Sequence, residues 1–237
     1  MFPIIPANTA TASFPENDEG IFGFGFKSPG GAQSMTNLVS NAGVVASDTA
    51  GVGTARYGLA ACEYGGDKGI FGYGYTATYA SMSNLVSNAG VVATDVTGVG
   101  TARSEGGACS MTNLVSDAGV VSSDVTGVGT ARWYLAACGY GEDKGIFGYG
   151  QGPGASNLSM TNLVSNAGVV ASDTTGVGTA RHQPEACEYG EDKGIFGFGT
   201  TGSVTAVTNL VSNAGVVSSD VTGVGTARKG PMACSFN

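Results

Sequence analysis

Short stretches of alternating apolar and polar residues, separated by glycine-rich turns, run along almost the whole chain. In the stretch that ends at Arg103, the alternation predicts four strands: A over residues 57–64, B over 69–75, C over 83–87 and D over 90–95. The turn tripeptide Asn-Ala-Gly separates strand C from strand D. The pattern therefore predicts an all-β protein of short antiparallel strands.

This pattern repeats along the chain. Every arginine ends a Thr-Ala-Arg tripeptide, and these arginines are Arg56, Arg103, Arg132, Arg181 and Arg228. Asn-Leu-Val also occurs five times, but Gly-Ile-Phe-Gly-Phe/Tyr-Gly occurs only four times. We number the units by their final arginine: unit 1 is 20–56, unit 2 is 57–103, unit 3 is 104–132, unit 4 is 133–181 and unit 5 is 182–228. Unit 3 has lost strand B.

A repeat of four antiparallel strands is typical of one propeller blade. We therefore predict a five-bladed β-propeller of four-stranded blades with one blade shortened, spanning residues 20–237. The chain starts in strand B of unit 1 and ends in a lone strand A at 230–236, which predicts a ring closed by the N- and C-terminal strands. Residues 1–19 form a tail with an extra candidate for strand A at 12–14. A solenoid is the structural alternative.

Residues 56–74 carry an arginine, then a small-residue strand, then an apolar strand that ends in glycine. This segment resembles a kelch repeat and is similar to regular repeats in metagenomic and tailed-phage-associated proteins. The resemblance implies a propeller with strand A innermost around a central channel, and a phage or viral-particle origin. Two features depart from the kelch pattern: the double glycine is Gly-x-Gly, and the single tryptophan, Trp133, begins a strand A.

The composition limits the kinds of partner that this protein is expected to bind. The chain has 41 glycines, 12% charged residues and a formal net charge of -8. An acidic chain lacks the cationic surface that nucleic acids and anionic membranes require. No apolar run is long enough to span a membrane, and residues 1–20 do not resemble a Sec signal peptide. We expect a soluble protein, cytoplasmic or virion-associated, whose partner is a glycan, a protein, a small molecule or another copy of itself.

One cysteine lies six residues after each Thr-Ala-Arg arginine: Cys62, Cys109, Cys138, Cys187 and Cys234. With strand A innermost, as the resemblance implies, the five thiols would surround the channel. Three interpretations remain: small buried apolar residues, a soft-metal site for zinc or copper(I), or a nucleophilic thiol of a hydrolase. The odd number disfavours a framework of disulfides.

His182 is the only histidine, so a copper enzyme of the galactose-oxidase type lacks the ligands it needs. An offset of five residues puts His182 and Cys187 on opposite faces of a strand. A Cys187–His182 dyad therefore requires a bulge or a contact between blades. Candidate catalytic residues are Cys62, Cys138, Cys187 and His182.

Each arginine follows an aspartate by eight residues: Asp48, Asp95, Asp124, Asp173 and Asp220. These pairs either clamp loops or neighbouring blades, or present a ring of guanidinium groups to a carboxylate or phosphate at a channel mouth. Acidic residues at the A–B hairpins are expected to be solvated turns rather than calcium sites. The repeated aromatics, such as Phe71 and Tyr149, are expected to pack between blades.

The segments between strands B and C, at 75–80, 150–158 and 200–207, differ while the framework repeats. Variable loops on a rigid scaffold favour a binding or structural module that recognises its ligand through the loops or the channel mouth. The alternative is a hydrolase of esters or phosphotriesters that uses the channel thiols, with or without zinc.

Overall fold

The computed structural model describes residues 19–65, 67–104, 113–231 and 233. These residues form eleven β-strands and one short 3-10 turn, Pro153–Ala155. The strands are β1 (Gly20–Lys27), β2 (Gly31–Val39), β3 (Ala60–Tyr64), β4 (Lys68–Gly72), β5 (Ser83–Val86), β6 (Ala136–Tyr140), β7 (Lys144–Gly148), β8 (Thr161–Val164), β9 (Glu185–Tyr189), β10 (Lys193–Gly197) and β11 (Thr208–Val211). The prediction of an all-β chain is confirmed. In the described parts, no helix is long and apolar enough to cross a membrane.

The strands form four antiparallel sheets, one in each of units 1, 2, 4 and 5. Strands A, B and C make a three-stranded sheet in units 2, 4 and 5, with B in the middle. Unit 1 contributes a two-stranded sheet of β1 and β2. Strand B is shorter than predicted because Tyr73, at a φ of 62°, turns the backbone out of the ladder just after Gly72.

The prediction of strand D is wrong. The segment after the C–D turn makes only isolated bridges to strand C, such as Val86–Val92 and Ser83–Val96. The side-chain amide of Asn84 donates to the carbonyl of Ala93 at 3.0 Å. Because that side chain takes a carbonyl that a ladder would use, the segment follows strand C without forming a continuous strand.

The closed ring of five blades is not present among the described residues, which hold four sheets. In the described part of unit 3, the only bridge within the unit joins Val115 and Val121. The candidate strand at 12–14 and most of the candidate at 230–236 lie outside the described residues.

The core is divided between two pairs of units. One cluster joins units 4 and 5 and includes Ile146, Tyr149, Phe196 and Val211. The other joins units 1 and 2 around Phe71. The Phe24–Phe71 and Tyr149–Phe196 rings meet edge to face at 5.3 and 5.2 Å. The expectation that the repeated aromatics pack between units is therefore confirmed for these pairs.

Two valine substitutions test this core. Val211 is fully buried, whereas Val169 is 65% exposed. Val211→Ala should lower the free energy of unfolding by about 2 kcal/mol, because it removes buried methyl groups and leaves a cavity. Val169→Ala makes the same chemical change on the surface and should cost under about 0.5 kcal/mol. Urea unfolding followed by circular dichroism measures both; equal losses would contradict the assigned core.

Candidate functional site

A polar cluster joins each unit to the next one, and we call it the inter-unit clamp. Between units 1 and 2, Arg56 Nη2 donates to Asn84 Oδ1 at 2.5 Å, and Arg56 Nη1 lies 3.6 Å from Asp95 Oδ1. The backbone and hydroxyl of Thr54 donate to Asp95 Oδ2 at 2.9 and 2.7 Å. Asn84 Nδ2 donates to Asp95 Oδ1 at 2.9 Å. The carboxylate of one unit is thus held by a threonine and an arginine of the preceding unit.

The clamp is buried around its arginine. Arg56 is 0% exposed, and its Nε donates to the carbonyl of Tyr73 at 2.8 Å. Desolvation lowers the pKa of Arg56, and the charge of Asp95 opposes that effect. Desolvation also acts to raise the pKa of Asp95, but hydrogen bonds from Thr54 and Asn84 outweigh it, so this pKa is lowered. The opposite charges of Arg56 and Asp95 compensate each other within the clamp.

Three complete clamps of this kind occur in the described part of the chain. They join Thr54 and Arg56 to Asn84 and Asp95, Thr101 and Arg103 to Asn113 and Asp124, and Thr130 and Arg132 to Asn162 and Asp173. A fourth clamp is partial: Thr179 and Asn209 hydrogen-bond to Asp220, but Arg181 Nη2 and Asn209 Oδ1 have no hydrogen-bond partner among the described residues. The aspartate eight residues before an arginine is therefore not its partner. The partner is the corresponding aspartate of the next unit. In the first clamp, for instance, Thr54 binds Asp95, which lies 41 residues further along the chain.

The clamps leave little guanidinium surface for an anion. Arg56 and Arg181 are 0% exposed, and Arg132 is 4% exposed. Several of the arginines also stack on an aromatic ring; the guanidinium carbon of Arg103, for instance, lies 3.7 Å from the ring centre of Tyr73. Of the five predicted channel-mouth arginines, the buried ones connect units, and Arg228 stands apart as an exposed residue.

A glycine is required beside each clamp. Gly53 has a φ of +82°, and a β-carbon there would collide with Asp95 Oδ1 and with Asn84 Nδ2, 2.7 Å away. Gly100, Gly129 and Gly178 face the equivalent atoms of their own clamps. The second glycine of the repeated Gly-Val-Gly before Thr-Ala-Arg is thus a steric requirement of the clamp.

The cysteines of the described residues take equivalent places on strand A. Cys62, Cys138 and Cys187 pair across the sheet with the isoleucine of strand B. Burial, with a contribution from Cys187, raises the pKa of Cys138 to about 12, and burial also raises the pKa of Cys62. A raised pKa disfavours the thiolate that nucleophilic attack and soft-metal ligation need.

No group of three or more candidate metal ligands occurs among the described residues. Cys109 and Cys234 lie outside them. The zinc or copper(I) site therefore stays a prediction. His182 is placed by another contact: its Nδ1 lies 2.7 Å from Asn157 Oδ1, and its ring lies 6.1 Å from that of Tyr134.

The acidic A–B hairpins are tied within their own unit. Asp143 Oδ1 accepts from Lys144 at 2.5 Å, and Asp143 Oδ2 accepts from Asn166 of the C–D turn at 2.9 Å. Asp192 has the same contacts with Lys193 and Asn213. The lysine neutralises each carboxylate, and the asparagine ties it to the C–D turn of the same unit.

Variable residues collect at one place in each full unit, beside the clamp. Three positions are joined by backbone bridges: the residue after the arginine, the residue after Gly-x-Gly, and a residue of the B–C segment. We call them the variable triplet, and its members are Tyr57, Tyr75 and Tyr79 in unit 2, Trp133, Gln151 and Asn157 in unit 4, and His182, Thr200 and Val204 in unit 5. The two bridges recur in all three units, although the B–C segment of unit 4 is two residues longer and contains the 3-10 turn. The side chains differ completely.

In units 1 and 2 this face carries an aromatic row. The rings of Phe26, Tyr57, Tyr75 and Tyr79 follow one another at centroid distances of 5.2, 5.5 and 5.5 Å. The two ends of the row, Phe26 and Tyr79, are 62% and 61% exposed. In unit 4, Trp133 Nε1 donates to Gln151 Oε1 at 2.9 Å, so that triplet is held in a defined geometry too.

A cavity of about 610 Å³ lies between units 2 and 4, at the position of the shortened unit. Its walls are mostly apolar and include Ile70, Leu135 and Phe147. Its charged lining residues, Arg103 and Arg132, belong to clamps. The cavity is therefore a mostly apolar space whose two charged residues already take part in clamps.

Two features of the site are not predicted from the sequence. The first is the asparagine of Asn-Leu-Val, which marks the repeat but also joins arginine to aspartate in the clamp. Its constant offset of 11 residues from the aspartate is the signal that indicates this contact. The second is the first member of the variable triplet, which lies in the predicted strand A. This position changes from Tyr57 to Trp133 to His182 while the residues around it repeat, and that variation indicates a role outside the framework.

The chain matches no protein-family model, and a search of curated proteins finds no significant match. The resemblance to kelch and phage-associated repeats therefore stays a prediction.

The importance of the clamp can be tested with matched arginines. Arg56→Ala should lower the free energy of unfolding by about 3 to 5 kcal/mol, because it leaves the Asp95 carboxylate without its buried partner. Arg228→Ala removes an exposed arginine of the same motif and should cost about 0.5 kcal/mol or less in dilute solution. Urea unfolding at low protein concentration measures both. Similar losses in the two variants would contradict the structural role of the clamp.

The clamp carboxylates also predict a pH dependence. The pKa values of Asp95, Asp124, Asp173 and Asp220 are lowered in the folded protein. These carboxylates contribute to folding stability at pH values above about 3.9, the pKa of aspartate in the unfolded chain. The contribution is lost as the pH falls through the lower pKa of the folded protein, since the unfolded state binds more protons in this range. Stability should thus drop below a pH of about 4. Asp95→Asn should make that drop shallower; an unchanged slope would contradict the assignment.

Proposed function

We propose that this chain is a binding module, and that its variable triplets form the ligand-binding face. The observation that carries the proposal is the aromatic row of units 1 and 2. Four aromatic side chains form a continuous series on the surface, and both ends are more than half exposed. Exposed aromatic surface of this kind is typical of an interaction site.

The chemistry of the row favours an uncharged linear glycan. Its four members carry no formal charge, and the chain has a net charge of -8, which disfavours anionic ligands. Sugar C–H groups pack against aromatic rings, and tyrosine hydroxyls hydrogen-bond to sugar hydroxyls at the same time. A spacing of 5.2 to 5.5 Å between rings lets successive sugar residues contact successive side chains.

The other triplets add to this face without repeating it. Trp133 in unit 4 supplies a large ring beside the amides of Gln151 and Asn157, whereas unit 5 offers His182 and Thr200. Different side chains on one backbone framework provide different subsites, as in other proteins whose scaffolds are constant. The proposal does not require closure of the units into the predicted five-bladed ring, nor does it depend on a phage origin.

The thiol hydrolase is the weaker candidate. The pKa of Cys138 is raised to about 12, mainly by burial, and that of Cys62 is raised as well. His182, the only histidine, contacts Asn157 on the binding face. Cys62 and Cys138 therefore lack the electropositive surroundings that activate a thiol.

Binding can be measured with neutral linear oligosaccharides of the cello, malto, xylo and chito series. We expect saturable binding of at least one series in isothermal titration calorimetry. Tyr79→Ala should weaken it about tenfold, which corresponds to about 1.4 kcal/mol, because one ring of the row is lost. Tyr189→Ala is the matched control, since this tyrosine is 36% exposed on β9 and lies outside the row.

Two results would overturn the proposal. If no oligosaccharide binds while a proline-rich peptide does, the row recognises polyproline segments instead of glycans. If an oligosaccharide binds equally well to the wild-type protein and to the Tyr79→Ala and Phe26→Ala variants, the row is not the binding face.

A further inference from the structure

The two ends of the described array expose complementary halves of the contact that joins every pair of neighbouring units. Within the chain, each unit presents a tail side to the next unit and a head side to the preceding one. Among the described residues, no unit precedes unit 1 and none follows unit 5. This feature is independent of the proposed glycan-binding face.

The head of unit 1 carries half of a clamp. Asn37 Nδ2 donates to Asp48 Oδ1 at 2.8 Å and to the carbonyl of Ala46 at 3.1 Å. Asn84 makes the same two contacts with Asp95 and Ala93. Asp48 is exposed, and no threonine or arginine of the described residues binds it. This half is therefore already formed, but no threonine or arginine that the structure describes completes it.

The tail of unit 5 carries the other half. Arg228 Nη1 donates to the carbonyl of Thr226 at 3.1 Å, and the guanidinium lies 3.6 Å from the ring centre of Phe198. Arg56 is held in the same way by Thr54 and Phe24. Yet Arg228 is exposed and forms no ion pair with a described carboxylate, whereas Arg56 is fully buried.

The space around two glycines, one at each end of the described array, is open where an inner unit has a neighbour. A β-carbon at Gly53 would collide with the next unit's aspartate, but one at Gly225 of unit 5 would meet no atom within 4 Å. Likewise, a β-carbon at Gly90 would collide with Leu38 of the preceding unit, but one at Gly43 of unit 1 would meet nothing. The space that a neighbouring unit fills elsewhere is open at both ends.

Apolar groups are exposed at the same ends. Phe71 and Phe196 are 7% and 0% exposed because each packs on the preceding unit, whereas Phe22 of unit 1 is 63% exposed. At the tail, Val224 is 89% exposed, although Val177 at the same position of unit 4 is 36% exposed. Unpaired charge and unpaired apolar surface thus coincide at each end.

We propose that the chain assembles head to tail, with the Thr226–Arg228 tail of one copy bound to the Asn37–Asp48 head of a second copy. The new contact repeats a clamp that the chain already forms between its own units, so it needs no new geometry. Phe22 of the second copy would pack on Phe198, as Phe71 packs on Phe24. A contact between two different surfaces leaves one head and one tail free, so it continues into longer arrays or closes into rings.

Sedimentation over a concentration series tests the assembly. The wild-type protein should rise from the single-chain mass of 23.4 kDa to higher multiples as its concentration increases. Arg228→Ala removes the tail, and Asp48→Ala removes the head, so each variant alone should stay at the single-chain mass. Asp117→Ala removes an exposed carboxylate outside both surfaces and should assemble like the wild type. Circular dichroism confirms that each variant is folded.

The mixture of the two variants is decisive. Arg228→Ala retains a head and Asp48→Ala retains a tail, so an equimolar mixture should form a complex of twice the single-chain mass and nothing larger. A wild-type protein that stays at the single-chain mass at every concentration would overturn the proposal, because its ends would then be unused or closed on each other. Assembly of either single variant like the wild type would also overturn it.

Discussion

The buried arginine between neighbouring units is the interaction on which the rest of the structure depends. Burying a guanidinium is unfavourable unless its donors and its charge are satisfied. At Arg56, carbonyls, an asparagine and an aspartate supply this compensation, and most of them belong to the next unit. One unit therefore cannot complete its own polar contacts. The chain has to be an array in which each unit is stabilised by its neighbour, as in other repeat proteins.

The shortened unit shows how far this dependence extends. Unit 3 has lost strand B, yet Asn113 and Asp124 still bind Arg103, and its own Arg132 binds Asn162. The apolar core does not cross this unit, since one cluster joins units 1 and 2 and the other joins units 4 and 5. In its described part, unit 3 shares the clamps with its neighbours, together with the close approach of a turn glycine to a leucine of the preceding unit, as at Gly119 and Leu85.

The sequence predicted what depends on local pattern and on repetition. The β class, the unit boundaries and the packing of Phe71 and Tyr149 follow from alternation and from regular spacing. The partner of each arginine could not be predicted in this way. Asp95 lies a constant eight residues before Arg103, whereas its separation from the preceding arginine varies between units, so the spacing favoured the wrong partner. Only the three-dimensional contact between units selects Arg56. Strand D does not form for a related reason. The Asn84 side chain donates to a backbone carbonyl that would otherwise accept a hydrogen bond from strand C.

The clamps also explain why the variable triplets can change so freely. Tyr57, Trp133 and His182 each directly follow a clamp arginine, and their backbones form the same bridges in each unit. Because the arginine fixes the backbone, the next side chain contributes little to the fold and is free to serve recognition. In a head-to-tail array, each copy would add another such face to the same rigid framework. Several weak contacts to one long ligand would then act together, and the avidity of the array would exceed the affinity of a single chain.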